Sequence, residues 1–313
     1  MITQAFILGA GLGMRLRPLT EDLPKPLIPV FQKPLITFVL DHLIAIGVQS
    51  FVVNTHHRPE AFREFFSSGS YRGHPVELVH EPVILGTGGG IKNVERFLTE
   101  ELFISYSGDL ATDIDVPSLI DEHHRAGNDV TLALRETHLG KDVAVEGDRV
   151  VDIARRYGHE GHYDFAGVIV WTRAVFERIP PAQHVSYISI LADWIGDGGK
   201  IGGLVLNEGK WFNIGSRSEY LAVHRAIADE NWRPPYLPEA DWPIRIASDA
   251  RIDPTARLSG FYSIGAGCQV DAGATVEDTI LWPGAQIASR SHLRNCIVRS
   301  HHKAEGDLSD TDI

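Results

Sequence analysis

The residues best able to do chemistry sit in a glycine-rich turn and in the cations just after it. Gly9-Ala10-Gly11-Leu12-Gly13-Met14-Arg15-Leu16-Arg17-Pro18-Leu19-Thr20 closes the apolar run that begins at Gln4. Glycines after a strand let backbone N–H groups come close to a phosphate. Two common phosphate loops are excluded by spacing. The dinucleotide fingerprint needs glycine where Met14 stands, since Gly13 comes one residue early, and no Gly-Lys-Ser/Thr follows to make a P-loop. The chain continues instead as Leu23-Pro24-Lys25-Pro26-Leu27, with one lysine held between prolines. A second glycine run, Gly86-Thr87-Gly88-Gly89-Gly90, comes shortly after Glu81. Tyr106-Ser107-Gly108-Asp109 ends another apolar run. An aspartate at the carboxyl end of a strand, just after glycine, is well placed to hold Mg²⁺.

These groups need a scaffold, and the pattern of the first two thirds predicts one. Strand-like segments at Gln4–Gly9, Phe51–Thr55, Val76–His80, Leu102–Ser107 and Val130–Leu134 are short, apolar and often β-branched. Between them lie helical spacings: Leu35, Phe38, Val39, Leu43 and Ile46; then Ala61, Phe62, Phe65 and Phe66 after Pro59; then Pro117–Ala126 and Ser216–Glu230. Alternating β and α elements predict an α/β domain over 1–230 with a Rossmann-like, mostly parallel sheet. Ligands in such sheets sit beyond the carboxyl ends of the strands. Residues 231–244 carry four prolines and two tryptophans, and read as a packed linker. Ile246, Ile252, Leu258, Ile264, Val270 and Val276 then recur every six residues; the pattern slips at Asp278–Leu281 and resumes at Ile287 and Leu293. A period of six fits neither helix nor antiparallel strand. It fits a triangular coil of short parallel strands, so 245–300 is expected to be a left-handed β-helix of about three coils. The polar, acidic stretch 301–313 is expected to be a mobile tail.

Bulk composition limits the function classes. With 29 basic and 41 acidic residues the formal charge is -12. Nucleic acid and anionic membranes want a basic face, so neither is expected as a partner. The two cysteines, Cys268 and Cys296, are expected to be free buried thiols, and the N-terminus reads as a first strand with no targeting segment. No run approaches the length of a membrane span. A cytoplasmic location is the expectation. His56 and His57 are adjacent, their side chains diverge, and no third ligand is spaced for zinc; polar packing is expected.

The stretch Ile7–Leu35 resembles the signature of the sugar nucleotidyltransferase superfamily: a glycine-rich loop, Gly-x-Arg-Leu-x-Pro-Leu-Thr, then Pro-Lys-Pro-Leu. The appended β-helix is similar to that of mannose-1-phosphate guanylyltransferases and their relatives. The resemblance implies that a sugar-phosphate oxygen attacks the α-phosphorus of an NTP and that pyrophosphate leaves. A phosphate monoester is already mostly dianionic, with a second pKa near ~6, so no dedicated base is needed. Positioning and charge neutralisation carry the catalysis. Arg15 can fork onto the triphosphate, and Lys25 suits the α-phosphoryl group or the incoming sugar phosphate. Asp109 matches the family's metal-holding aspartate. The resemblance further implies nucleotide contacts from Leu8, Gly9, Ala10, Gly11, Gly13, Met14, Gly86 and Thr87, with Gly88–Gly90 close to the nucleoside. Glu81 would read the base edge. A carboxylate accepts from guanine N1–H and N2–H₂ together, which favours GTP; uracil N3–H leaves UTP open.

The chain also departs from the family. The family's Trp-x-Asp-Ile-Gly-Thr is here Trp211-Phe212-Asn213-Ile214-Gly215-Ser216, so Asn213 offers Mg²⁺ a neutral oxygen at the second metal position. A segment that ends in Glu-Lys in relatives ends here in Arg155-Arg156. Arg156 would hold the sugar phosphate, with Ala166 and Gly167 lying against the sugar. Mannose-1-phosphate is the first expectation by whole-chain resemblance. Asn213 and Arg155 keep open a relative that binds nucleotide sugar without turnover. The β-helix is expected to join copies into a homo-oligomer.

Overall fold

The computed structural model describes residues 2–137 and 139–313. The chain forms two compact units. One comprises Met1–Leu12 with Phe38–Trp211, and the other Gly13–Thr37 with Phe212–Ile313. The division falls inside the expected 1–230 domain, and the glycine-rich signature itself straddles it.

The first unit holds a ten-stranded sheet. Its strands are β1 (Gln4–Leu8), β2 (Ser50–Thr55), β3 (Ser70–Tyr71), β4 (His74–His80), β5 (Leu102–Ser107), β6 (Val130–Arg135), β7 (Val143–Glu146), β8 (Arg149–Ile153), β9 (Asp164–Thr172) and β10 (Ile201–Val205). Their order is β7-β8-β10-β6-β9-β5-β1-β2-β4-β3. The run β5-β1-β2-β4 is parallel, and β10 is parallel to β6. Strand β9 runs antiparallel to both β5 and β6. The five expected strands are all present. Strands β3 and β7–β10 are further to those five.

The helices start where local chemistry dictates. Pro59 opens Pro59–Phe65 at a position that needs no amide donor. Asp115 caps Val116–Ala126 by accepting from the Ser118 N–H, and Gly127 ends it with φ 59°. The core of this unit gathers Phe6, Phe103, Ile169, Trp171, Phe176 and Leu191, all at most 2% exposed. Burying one such side chain is worth ~1.5–3 kcal/mol.

In the second unit a parallel β-helix follows the linker. Arg251–Ile252, Gln269–Val270, Gln286–Ile287 and Lys303–Ala304 stack on one face; Arg257–Ile264, Thr275–Leu281, His292–Arg294 and Asp307–Ser309 stack on another. Val270, Val276, Ile287, Leu293 and Ala304 point into its core, with Cys268 and Cys296 as free buried thiols. The slip in the repeat is a bulge. Register shifts between Ser259 and Tyr262, and Asp278 takes the left-handed conformation at φ 48°.

The expectation of a mobile tail over 301–313 gives way here. Lys303–Ala304 and Asp307–Ser309 are strands of the β-helix, and the Ile313 N–H donates to the Ile297 carbonyl at 2.9 Å. Backbone pairing holds this stretch despite its polar side chains. The proline-rich linker is packed, with Trp232 and Trp242 buried and the Arg233 guanidinium donating to the carbonyls of Ala240 and Trp242. Segment Gly13–Thr37 joins this unit through Tyr220, which donates to the Pro29 carbonyl and accepts from Trp282 Nε1, and through an Arg299–Asp22 ion pair at 2.7 Å. Among the described residues no helix is long and apolar enough to cross a membrane.

Candidate functional site

A cavity of ≈ 290 Å³ lies in the first unit, at the carboxyl ends of neighbouring parallel strands. Register sets Asn54 and Ser107 on either side of Leu8, the last residue of β1. The chain passes from β1 to β2 on one side while β5 lies on the other, so the strand order reverses at β1. A crevice opens at such a reversal, because the loops leave in opposite directions. Seven expected residues line the cavity: Leu8, Ala10, Gly11, Glu81, Gly86, Thr87 and Asp109. Asn54, Ile84 and Ser107 complete it. Asn54 has a faint mark in sequence, as an amide inside the buried run Phe51-Val52-Val53-Asn54-Thr55.

Glu81 is 1% exposed and firmly held. Its Oε1 accepts from Asn54 Nδ2 at 2.7 Å, and its Oε2 accepts from the Leu85 N–H at 3.1 Å. His56 Nδ1 donates to its carbonyl at 2.7 Å, so that histidine packs as a polar group. Asn54 Oδ1 in turn accepts from the Gly9 N–H at 2.8 Å. Gly9 therefore does not bring its N–H to a phosphate. It is buried, absent from the cavity wall, and a Cβ there would stand 2.7 Å from the Asn54 carbonyl oxygen.

The glycines at 88–90 differ from expectation in the same way. They lie in the helix Gly86–Asn93, and what comes close to them is protein. A Cβ at Gly89 would stand 2.4 Å from the Gln183 carbonyl oxygen, and one at Gly90 would stand 2.8 Å from Asn54 Nδ2. The N–H groups of Gly88 and Gly89 donate to the Val185 carbonyl. Tertiary packing thus keeps a glycine-rich segment helical against its propensity. Gly86 remains on the cavity wall with φ 70°.

Asp109 follows β5 in a tight turn. The Gly108 N–H donates to the Leu8 carbonyl at 3.0 Å, which ties this turn to the end of β1. Tyr187 donates its backbone N–H to Thr87 Oγ1 at 3.0 Å. Burial lifts the Tyr187 phenol well above its ordinary pKa, and the charge of Asp109 adds to the rise. The phenol stays an O–H donor.

The expected sugar-side residues are not on this cavity wall. Arg156 lines a separate cavity with Ile153 and Ser186, and pairs with Asp193 at 3.4 Å. Ala166 is fully buried, and its carbonyl accepts from Trp211 Nε1 at 2.9 Å. Gly167 has φ 87° at an irregularity of β9, where a Cβ would stand 2.5 Å from Leu110 Cδ1.

The other expected residues belong to the second unit. Gly13 takes φ 63°, and a Cβ there would stand 2.8 Å from Thr20 Cγ2. Met14 is exposed at the start of a short 3₁₀ turn, Met14–Leu16. Arg15 is exposed, and its guanidinium lies over the Asn213–Gly215 turn: a Cβ at Gly215 would stand 2.7 Å from Nη2. Asn213 ends the strand Trp211–Asn213, and its carbonyl accepts from the Gly215 N–H at 2.8 Å. Lys25 is half-buried at the head of a 3₁₀ turn, Lys25–Leu27, between two buried prolines.

A family model described as Nucleotidyl transferase matches residues 4–230. Mannose-1-phosphate guanylyltransferase of Mycobacterium tuberculosis is 30% identical over 295 residues, covering 90% of this chain and 80% of that protein. UTP–glucose-1-phosphate uridylyltransferase of Synechocystis is 24% identical over 334 residues, covering 92% and 86%. In fold, the inositol-1-phosphate CTP transferase of T. maritima matches with a TM-score of 0.57 at 20% identity, over 70% of this chain and 91% of that one. A phosphate-loop signature, a cavity at the strand reversal and a family match over most of the chain converge, and this chain belongs to the nucleotidyl transferase family as an enzyme of the sugar-1-phosphate kind.

Proposed function

We propose that the enzyme transfers a guanylyl group from GTP to mannose-1-phosphate, giving GDP-mannose and pyrophosphate. The observation that carries this reading is the single cavity that gathers Gly11, Glu81, Gly86, Thr87 and Asp109. The sugar-phosphate oxygen bonds to the α-phosphorus, the bond from that phosphorus to the bridging oxygen breaks, and its electron pair leaves with pyrophosphate. The turn at Ala10 and Gly11 offers backbone to the phosphates. Each oxygen of Glu81 keeps a lone pair beyond the one it uses within the protein, enough to accept from guanine N1–H and N2–H₂. Arg15 and Lys25 are the cations proposed to neutralise phosphate charge, and Arg156 is the cation proposed for the sugar phosphate; Ala166 and Gly167, expected against the sugar, are buried against protein and lie off the cavity wall.

Asp109, on the wall of this cavity, would supply a hard oxygen donor for Mg²⁺; Asn213, in the second unit, carries the neutral oxygen that the family resemblance puts at the second metal position. Among the described residues no group of three or more His, Cys, Asp or Glu side chains could hold a metal. A donor set this small suits Mg²⁺, which takes its remaining ligands from phosphates and water. When bound, the ion supplies positive charge that offsets the crowded phosphates. The free buried thiols fit a cytoplasmic enzyme, and the β-helix is the surface through which copies of the chain would associate.

Pyrophosphate release is measured with each NTP against mannose-1-phosphate, glucose-1-phosphate and a heptose-1-phosphate. GTP with mannose-1-phosphate is expected to show the highest kcat/KM. A uridylyl transfer is the second reading, favoured by the Synechocystis relative and by the single donor of uracil N3–H; higher kcat/KM with UTP and glucose-1-phosphate would establish it. No release with any pair would refute both.

A further inference from the structure

We infer that Asn54 is a positioning residue that locks the phosphate turn and the base-reading carboxylate into one unit, so that nucleotide affinity and base choice depend on one amide. The inference rests on the reading of this cavity as the nucleotide site. Asn54 is 3% exposed and lies on the cavity wall. Its side chain makes one bond in each direction: Oδ1 accepts from the Gly9 N–H at 2.8 Å, and Nδ2 donates to Glu81 Oε1 at 2.7 Å. Glu81 passes the constraint on, because Oε2 accepts from the Leu85 N–H just before Gly86. Both ends of the cavity therefore hang on a four-group chain: Gly9 N–H, Asn54 amide, Glu81 carboxylate, Leu85 N–H.

Each link has only one workable polarity. The Gly9 N–H can only donate, so Asn54 must turn its oxygen there and its NH₂ toward Glu81. The Leu85 N–H can also only donate, so Glu81 must present an oxygen at each end. Two neighbouring glycines leave the chain no slack: a Cβ at Gly9 would meet the Asn54 carbonyl, and one at Gly90 would stand 2.8 Å from Asn54 Nδ2 and 3.0 Å from Glu81 Oε1. A buried hydrogen bond to a charge is strong, and leaving one partner unmatched costs more than the bond contributed. An amide so constrained is a device for register rather than a contact with the substrate.

The polarity argument yields a test by exchange. In Asn54→Asp two carboxylates face each other. In Glu81→Gln one NH₂ must face either the Asn54 NH₂ or the Leu85 N–H. Each single variant is expected to lose on the order of tenfold to a hundredfold in affinity for GTP and for UTP in Mg²⁺. The double exchange, N54D/E81Q, restores every donor to an acceptor: Gly9 N–H to Asp, Gln NH₂ to Asp, Leu85 N–H to Gln oxygen. It also keeps the net charge. Its affinity for UTP is expected to return to within a few-fold of wild type.

The preference of GTP over UTP should not return, because glutamine shows the base one donor and one acceptor where glutamate showed two acceptors. In Asn54→Asp, where Glu81 is intact, the preference for GTP over UTP is expected to fall as well; a merely structural asparagine would leave the ratio of that variant unchanged. Melting temperatures are recorded for all four proteins. Single variants that bind like wild type overturn the inference, as does a double exchange no better than the singles or one that fails to fold, since it leaves no donor unmatched. If a single variant does not fold, the double exchange is judged alone by the same criteria. A wild-type protein that binds no NTP overturns the underlying reading of the cavity; failure confined to the exchange leaves that reading intact.

Discussion

Gly90→Ala separates packing from binding, and its effect can be worked from distances. The new methyl carbon would stand 2.8 Å from Asn54 Nδ2 and 3.0 Å from Glu81 Oε1, two atoms that are themselves 2.7 Å apart. Carbon needs about 3.5 Å from such neighbours. The shortfall of roughly 0.5–0.7 Å must come from somewhere. Both flanking atoms belong to buried side chains held at their far ends, so the yielding element is their mutual hydrogen bond. Stretching it past about 3.2 Å ends it. A lost hydrogen bond to a buried charge costs about 1.5–3 kcal/mol, or a fall in Tm of roughly 3–12 °C for a domain of this size. Gly11→Ala is the control. Its Cβ would meet nothing within 4 Å, so Tm should stay within about 1–2 °C of wild type. Yet Gly11 lines the cavity, and a methyl group there should raise the KM for NTP. Differential scanning fluorimetry and steady-state pyrophosphate release read the two effects. A Gly90→Ala protein with wild-type Tm, or a Gly11→Ala protein with wild-type KM, would refute the reasoning.

Three further outcomes are expected. Lys25→Ala and Asp109→Asn should each lower turnover by on the order of a hundredfold or more in pyrophosphate release, as loss of a preorganised charge does; near-normal turnover would remove either residue from the mechanism. Asn213→Asp puts a carboxylate at the second metal position that the family resemblance implies, and should lower the Mg²⁺ concentration needed for half-maximal rate; an unchanged metal requirement would place Asn213 outside the metal site. Burial lowers the pKa of His224 from 6.5 to about 4, its Nδ1–H donating to the Tyr220 carbonyl at 2.8 Å beside the Phe31 ring. The unfolded chain therefore binds this proton first. The stabilisation is whole above about pH 6.5 and is lost as pH falls toward 4, at up to ~1.4 kcal/mol per pH unit. Urea unfolding at pH 7 and pH 5 should show a smaller loss for His224→Phe than for wild type, and an equal loss would count against a buried neutral imidazole.

Much of the catalytic unit was legible because its signals are local. A run such as Val130–Leu134 can hide its side chains only as a buried strand, and the found strand is Val130–Arg135. Asp115 and Gly127 bound a helix whose apolar spacing was already plain. The six-residue period was equally legible, since only stacked parallel coils bury one aliphatic residue per side. Gly88–Gly90 misled for an instructive reason. A glycine in sequence says that something must come close, without saying what. Here the near neighbours include the backbone at 183–187 and the Asn54–Glu81 pair, where a nucleoside was expected. The tail misled because its polar composition masks the backbone pairing of 303–304 and 307–309 and the few apolar side chains, Ala304, Leu308 and Ile313, that pack with the coil's core.

The sequence by itself determined the chemistry on offer: a glycine-rich turn, Arg15, Lys25 and Asp109, with an alternating α/β pattern to carry them. Residue type and short-range spacing suffice for this, because backbone freedom, charge and apolar periodicity are local properties. Only the tertiary structure decided which groups share a cavity and which way each one faces. Asn54 and Glu81 lie 27 residues apart and meet because β2 and β4 pair in parallel. Hydrogen-bond polarity and close approach exist only once such strands are in register, so no reading of either segment alone could have found them.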